Sequence, residues 1–173
     1  MYKRQVEDAI SNLAVSQSND NDSHVTLYEE FYSQPDSLEI IVIDSAVSNA
    51  NELIQGISPS AQVVFIDSSA DGVAQLADIL ENFSDVDALH IISHGEQGEL
   101  KLGSSVINQQ SMSNEYAAEL EAIGNALAVN GDILIYGCDF AGGNKGAETS
   151  AKLAALTGAD IACLLYTSPS PRD

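Results

Sequence analysis

Short apolar runs alternate with helix-spaced segments along this chain, and that alternation limits the folds open to it more than any other feature. Residues 38–43, 62–66, 88–93 and 133–136 are strand-length and nearly continuous in aliphatic character, and Ala159-Asp160-Ile161 opens a fifth run. Between them, Val73, Leu76, Ala77 and Leu80 recur at helical spacing behind Asp71, which suits an N-cap. Tyr116, Leu120, Ile123 and Leu127 form a second stripe, predicting a helix over 114–129 that ends at Asn130-Gly131-Asp132. Residues 146–156, closed by Thr157-Gly158, read as another helix, and 49–57 as a short one. Residues 99–102 and 105–107, about Gly103-Ser104, read as a small hairpin. Strands buried on both faces and joined through helices predict an α/β domain, a three-layer sandwich around a mostly parallel sheet.

Two of the apolar runs deliver chemistry at their C-terminal ends. One finishes in Ser93-His94-Gly95, the other in Tyr136-Gly137-Cys138. In open α/β sheets, ligands collect beyond the carboxyl ends of the strands. Right-handed crossovers keep successive strands oriented alike, and neighbouring strands lie about 4.8 Å apart. If those two strands are neighbours, His94 and Cys138 leave the sheet at one edge as a proton carrier and a nucleophile. The backbone N–H groups of Gly95 and Cys138 are candidate oxyanion donors.

Composition narrows the partners. With 6 Lys and Arg against 26 Asp and Glu, the net charge is −20, which argues against nucleic acid and anionic membranes as partners. No run reaches membrane-spanning length. Both ends look foreign: residues 163–173 resemble one reading frame of the transposon-end adaptor of short-read sequencing libraries, and residues 1–5 resemble its other strand. The expected organisation is therefore an adaptor remnant at 1–5, a polar leader at 6–37, an incomplete α/β domain at 38–162 and a second remnant at 163–173. Without the remnants, Lys101, Lys145 and Lys152 are the only basic residues and Cys138 the only cysteine, so no disulfide framework is expected. An internal piece of a longer protein would carry no secretory leader of its own.

The strand–Ser93-His94-Gly95 and strand–Gly137-Cys138 blocks resemble the two signature blocks of caspase-like cysteine peptidases, the clan that includes gingipains, clostripain and metacaspases. In caspases proper the second block is Gln-Ala-Cys-Arg-Gly, whereas Ile135-Tyr136-Gly137-Cys138-Asp139 stands here. More narrowly, Ile43-Asp44-Ser45-Ala46-Val47, Asp71-Gly72-Val73, the 94–100 block and Tyr136-Gly137-Cys138 resemble a bacterial domain of unknown function. That domain occurs near the N-terminus of very large surface proteins with cadherin-like and other calcium-binding repeats. The resemblance implies a caspase-like or flavodoxin-like sandwich, C-terminally truncated. It implies a cysteine endopeptidase, secreted or at the cell surface, acting on a peptide or its own parent chain. Cys138 would be the nucleophile and His94 the acid/base. The alternatives are a non-catalytic module of the same fold serving secretion, adhesion or surface assembly, and a flavodoxin-like ligand-binding domain.

Other residues are weighed against plainer roles. Asp44 and Asp67 end the first two strands; a flavodoxin-like strand order favours Asp44 as a pocket residue or as an orienter of His94, though Asp at such positions is more often turn chemistry. Asp139 is a further pocket candidate. His90 reads as a core or helix-facing histidine, and His24 receives no role. Residues 67–72 lack the alternating acids of a calcium loop, and neither a metal site nor a cofactor is expected. The 142–146 glycine-rich turn shapes the loop after Cys138.

Overall fold

A computed structural model describes residues 37–48 and 61–163. The expected leader, the 49–57 helix and the two terminal remnants lie outside those residues, apart from Ser37 and Cys163. The central element is a five-stranded parallel sheet in the order β2-β1-β3-β7-β8, formed by β1 (Glu39–Asp44), β2 (Gln62–Ile66), β3 (Val86–Ile92), β7 (Leu127–Tyr136) and β8 (Asp160–Cys163). A three-stranded antiparallel sheet, β4 (His94–Glu96), β5 (Glu99–Leu102) and β6 (Ser105–Ile107), stands beside it. The helices are α1 (Gly72–Leu80), α2 (Gln109–Asn114), α3 (Ala117–Ala126) and α4 (Gly143–Thr157). Together they make an α/β sandwich with a parallel sheet flanked by helices, as the alternation of patterns predicts.

Period-two burial explains the core. Ile40 and Val42 of β1, Leu89 and Ile91 of β3, and Ile133 and Ile135 of β7 are all buried in one cluster. Val73, Leu76 and Leu80 of α1, Leu120 and Ile123 of α3, and Leu153 of α4 join them there. Each of these side chains contributes roughly 1.5–3 kcal/mol by leaving water.

The main departure from expectation is at the start of β7. The stripe ending at Leu127 predicts helix to Val129, yet α3 stops at Ala126 and the strand begins at once. The register against β3 jumps from Val86↔Leu127 to Ala88↔Asp132, so the Asn130-Gly131-Asp132 turn signal is absorbed as a bulge rather than ending a helix. Val129, 98% exposed, is thrown outward by it. β8 also runs through Cys163, which pairs with Ile135.

Asp71 links helix and hairpin. Its carboxylate accepts from the N–H groups of Val73 and Ala74, each at 3.0 Å, and from Ser105 Oγ at 2.7 Å. Burial pushes this carboxyl up. The Ala74 and Val73 N–H groups and the Ser105 and Tyr116 hydroxyls outweigh that and hold it below the usual carboxylate range. On α4, Lys145 Nζ reaches Glu99 at 2.7 Å and Lys152 Nζ donates to the Gln109 carbonyl at 2.7 Å.

A group whose folded pKa is depressed stabilises above its unfolded pKa and loses that contribution as pH falls through the folded value. Asp71→Ala should therefore cost about 0.5–2 kcal/mol at neutral pH. The gap should close as pH drops below about 4. Urea midpoints of both proteins at pH 7 and pH 3 measure this, and a gap independent of pH would contradict the assignment.

Candidate functional site

β3 and β7 are parallel neighbours whose last registered pair is Ile92↔Tyr136. His94 and Cys138 each follow that pair by two residues, so both leave the sheet at the same edge, and both are exposed. The sequence reads as a strand over 88–93 that delivers His94 just beyond its C-terminal end. Instead β3 ends at Ile92, Ser93 makes the break, and His94 begins β4 opposite Lys101. The histidine thus stands where the chain passes from one sheet to another. The only sequence sign of this is the alternation of Leu100 and Leu102 inward in β5, which a lone hairpin would not need.

The two glycine blocks meet backbone to backbone. A Cβ placed on Gly95 would lie 3.2 Å from the Cys138 carbonyl oxygen and 3.3 Å from the Gly137 carbonyl carbon. One placed on Gly137 would lie 3.7 Å from Gly95 Cα and press on Leu100 Cδ1 at 2.9 Å. At Gly95 the added atom would crowd backbone, so glycine serves the close approach there; at Gly137 it would meet the end of the Leu100 side chain. The tip of the β4–β5 hairpin completes the junction: Gly98, at φ +72°, donates its N–H to the Phe140 carbonyl at 2.9 Å. The hairpin that begins with His94 is thereby tied to the loop that carries Cys138.

His94 Nε2 lies 3.4 Å from the carbonyl oxygen of Ala46, in the turn after β1. A carbonyl can only accept, so this contact requires the hydrogen on Nε2. In the neutral ring the lone pair is then on Nδ1. Among the described residues, no carbonyl accepts from the Cys138 N–H, one of the two expected oxyanion donors, and no hydrogen bond joins His94 to the Cys138 thiol. Gly95, the other expected donor, is registered against Leu100.

The acidic candidates separate. Asp139 directly follows the cysteine, is exposed, and adopts φ +56°, a left-handed conformation that Asp tolerates better than most residues. Its Oδ1 lies where a Gly142 side chain would have to go, at the N-terminus of α4, whose N-cap has no side-chain partner. That position favours negative charge. Asp44 is different: expected to line a pocket, it is 1% exposed, and both its oxygens accept from backbone N–H groups. Asp67 accepts from Ser69 N–H at 2.8 Å and Ser69 Oγ at 2.7 Å, which is ordinary turn chemistry.

His90 is half-buried on the sheet, with Nδ1 3.0 Å from Tyr136 Oη and Nε2 3.9 Å from Glu39. Burial lowers its pKa and the Glu39 carboxylate partly opposes that. It reads as a satisfied interior histidine, in keeping with the sequence. Cys163 is half-buried beside Ser150, and burial pushes its thiol up; Cys138 is the exposed cysteine. Among the described residues no cluster of His, Cys, Asp and Glu has the geometry of a metal site.

Fold and site together define an α/β domain whose His-Gly and Gly-Cys blocks share one sheet edge. The chain belongs to the family described as Domain of unknown function (DUF4347), whose model matches residues 40–165. Among curated proteins, none matches the chain.

Gly95→Ala tests the junction. Its new methyl must displace backbone of the Cys138 turn, which should cost about 1–3 kcal/mol. The denaturation midpoint reports that loss, and an unchanged midpoint would mean that the two blocks do not abut.

Proposed function

We propose that this domain is a caspase-like cysteine endopeptidase acting through Cys138 and His94. The observation that carries the reading is the Ile92↔Tyr136 register, which brings His94 and Cys138 to one sheet edge with their flanking glycines in contact. In this scheme the Cys138 thiol gives its proton to His94 Nδ1, and the thiolate attacks the scissile carbonyl carbon, forming a C–S bond. Charge develops on the carbonyl oxygen, toward which the Cys138 N–H, without an acceptor among the described residues, would donate. The tetrahedral species collapses, the C–N bond breaks, and His94 returns the proton to the departing amine. Water, deprotonated by the same imidazole, then hydrolyses the thioester and frees Cys138. The Ala46 carbonyl serves as the third group, holding the ring in the tautomer with Nδ1 available.

The resemblance of the two blocks extends the proposal to context. The domain would belong to a large secreted or surface-anchored bacterial protein and would cleave a peptide substrate or the parent chain itself. One observation favours a second reading, a non-catalytic module for secretion, adhesion or surface assembly: the imidazole leans to Ala46 and makes no hydrogen bond to the cysteine.

A peptidyl acyloxymethyl ketone separates the two. In a Cys163→Ser background it should label Cys138 stoichiometrically, and His94→Ala should reduce the labelling rate on the order of 10²–10⁴-fold. Peptide mass spectrometry locates the adduct. Equal labelling with and without the imidazole would sink the peptidase reading and leave the inert module. Cleavage of the full-length parent, lost in Cys138→Ala, should accompany a positive result.

A further inference from the structure

The sequence offers Asp44 as a pocket residue or as an orienter of His94; it lies buried beneath the site, with a backbone donor on each oxygen of its carboxylate. Oδ1 accepts the Ala46 N–H at 2.8 Å. Oδ2 accepts the Gly103 N–H at 2.7 Å; the Ser93 hydroxyl lies 3.4 Å away, with its one hydrogen turned to the nearer Lys101 carbonyl. Each donor belongs to a segment that bears on His94. Ala46 presents the carbonyl that touches the imidazole. Ser93, the residue before His94 and next to the carboxylate, donates its hydroxyl to the carbonyl of Lys101, the residue registered opposite His94. Gly103, at φ +60°, forms the β5–β6 turn and is fixed on its other side, where Ser104 N–H donates to the Ala70 carbonyl at 2.8 Å.

We propose that Asp44 is the positioning residue of this site, its single buried carboxylate setting both the carbonyl that orients the His94 ring and the strand break that carries it. The inference rests on the peptidase reading for its functional meaning, but its geometry stands on the hydrogen bonds alone. The chemistry is specific to a carboxylate. Oxygens on both arms accept, so an amide of the same shape must turn its NH2 toward a backbone N–H. Asp44→Asn therefore keeps the volume and breaks one arm, either the one to Ala46 or the one to Gly103. A buried donor left facing another donor cannot stay in place, and the displaced segment is in each case one that fixes His94.

The test has a readout that general destabilisation would not move. In 15N-histidine-labelled full-length chain, with His94 assigned from His94→Gln, the neutral His94 ring should hold its hydrogen on Nε2. In Asp44→Asn the two tautomers should mix toward the ratio of a free imidazole, at a temperature where circular dichroism shows the chain folded. Asp44→Glu, which keeps the charge but moves both oxygens by one methylene, should give a smaller shift in the same direction. It also serves as the working variant if Asp44→Asn does not fold. Labelling of Cys138 by the acyloxymethyl ketone should fall on the order of 10²-fold in Asp44→Asn. A folded Asp44→Asn chain with the parent tautomer, or an Asp44→Glu chain with no shift where Asp44→Asn is unfolded, overturns the proposal. These outcomes are distinct from failure of the peptidase reading, in which the ketone does not label the parent chain and the tautomer still reports on Asp44.

Discussion

The pairing of β3 with β7 governs everything at the candidate site. It is a parallel pairing, so both strands point the same way, and it holds without a further shift from Ala88↔Asp132 to Ile92↔Tyr136. A one-residue slip would turn the inward pair of one strand, Leu89 and Ile91 or Ile133 and Ile135, away from the core, which fixes the register by hydrophobic burial rather than by anything at the site. The juxtaposition of the histidine and cysteine blocks is thus a by-product of core packing. The chemistry is stationed at the end of the ladder, where polar side chains no longer conflict with burial.

From that edge the structure is built outward by backbone contacts. Gly95 lies on the Gly137–Cys138 peptide, Gly98 donates to Phe140, and Thr149 Oγ1 of α4 reaches the Gly98 carbonyl at 3.3 Å. On the other flank, Asp44 ties the end of β1 to the β5–β6 turn. The small antiparallel sheet is therefore held at both ends, by the cysteine loop at its tip and by a buried carboxylate at its base.

Much of this was legible in the residues. Aliphatic runs at strand length gave the parallel sheet, the first and third strands are neighbours as a flavodoxin-like order requires, and Asp71 caps its helix. Two features were not legible for definite reasons. Leu127 continues a helical stripe, and only its pairing partner Val86, distant in sequence, makes it a strand residue. Asp44 has the composition of any strand-ending acid. Its burial depends on a turn at Gly103 that comes from far along the chain, and no local pattern encodes that meeting.

The placement of the lysines has a consequence of its own. Lys145 and Lys152 both sit on α4 and both bind outward, to the hairpin and to α2, in a chain of net charge −20. Added salt screens the mutual repulsion of the many carboxylates, which favours the compact state, while it weakens the exposed Lys145–Glu99 contact. Ionic strength thus acts in opposite senses on the body of the domain and on the helix that follows Cys138, so brine that firms the scaffold loosens one fastening of that helix.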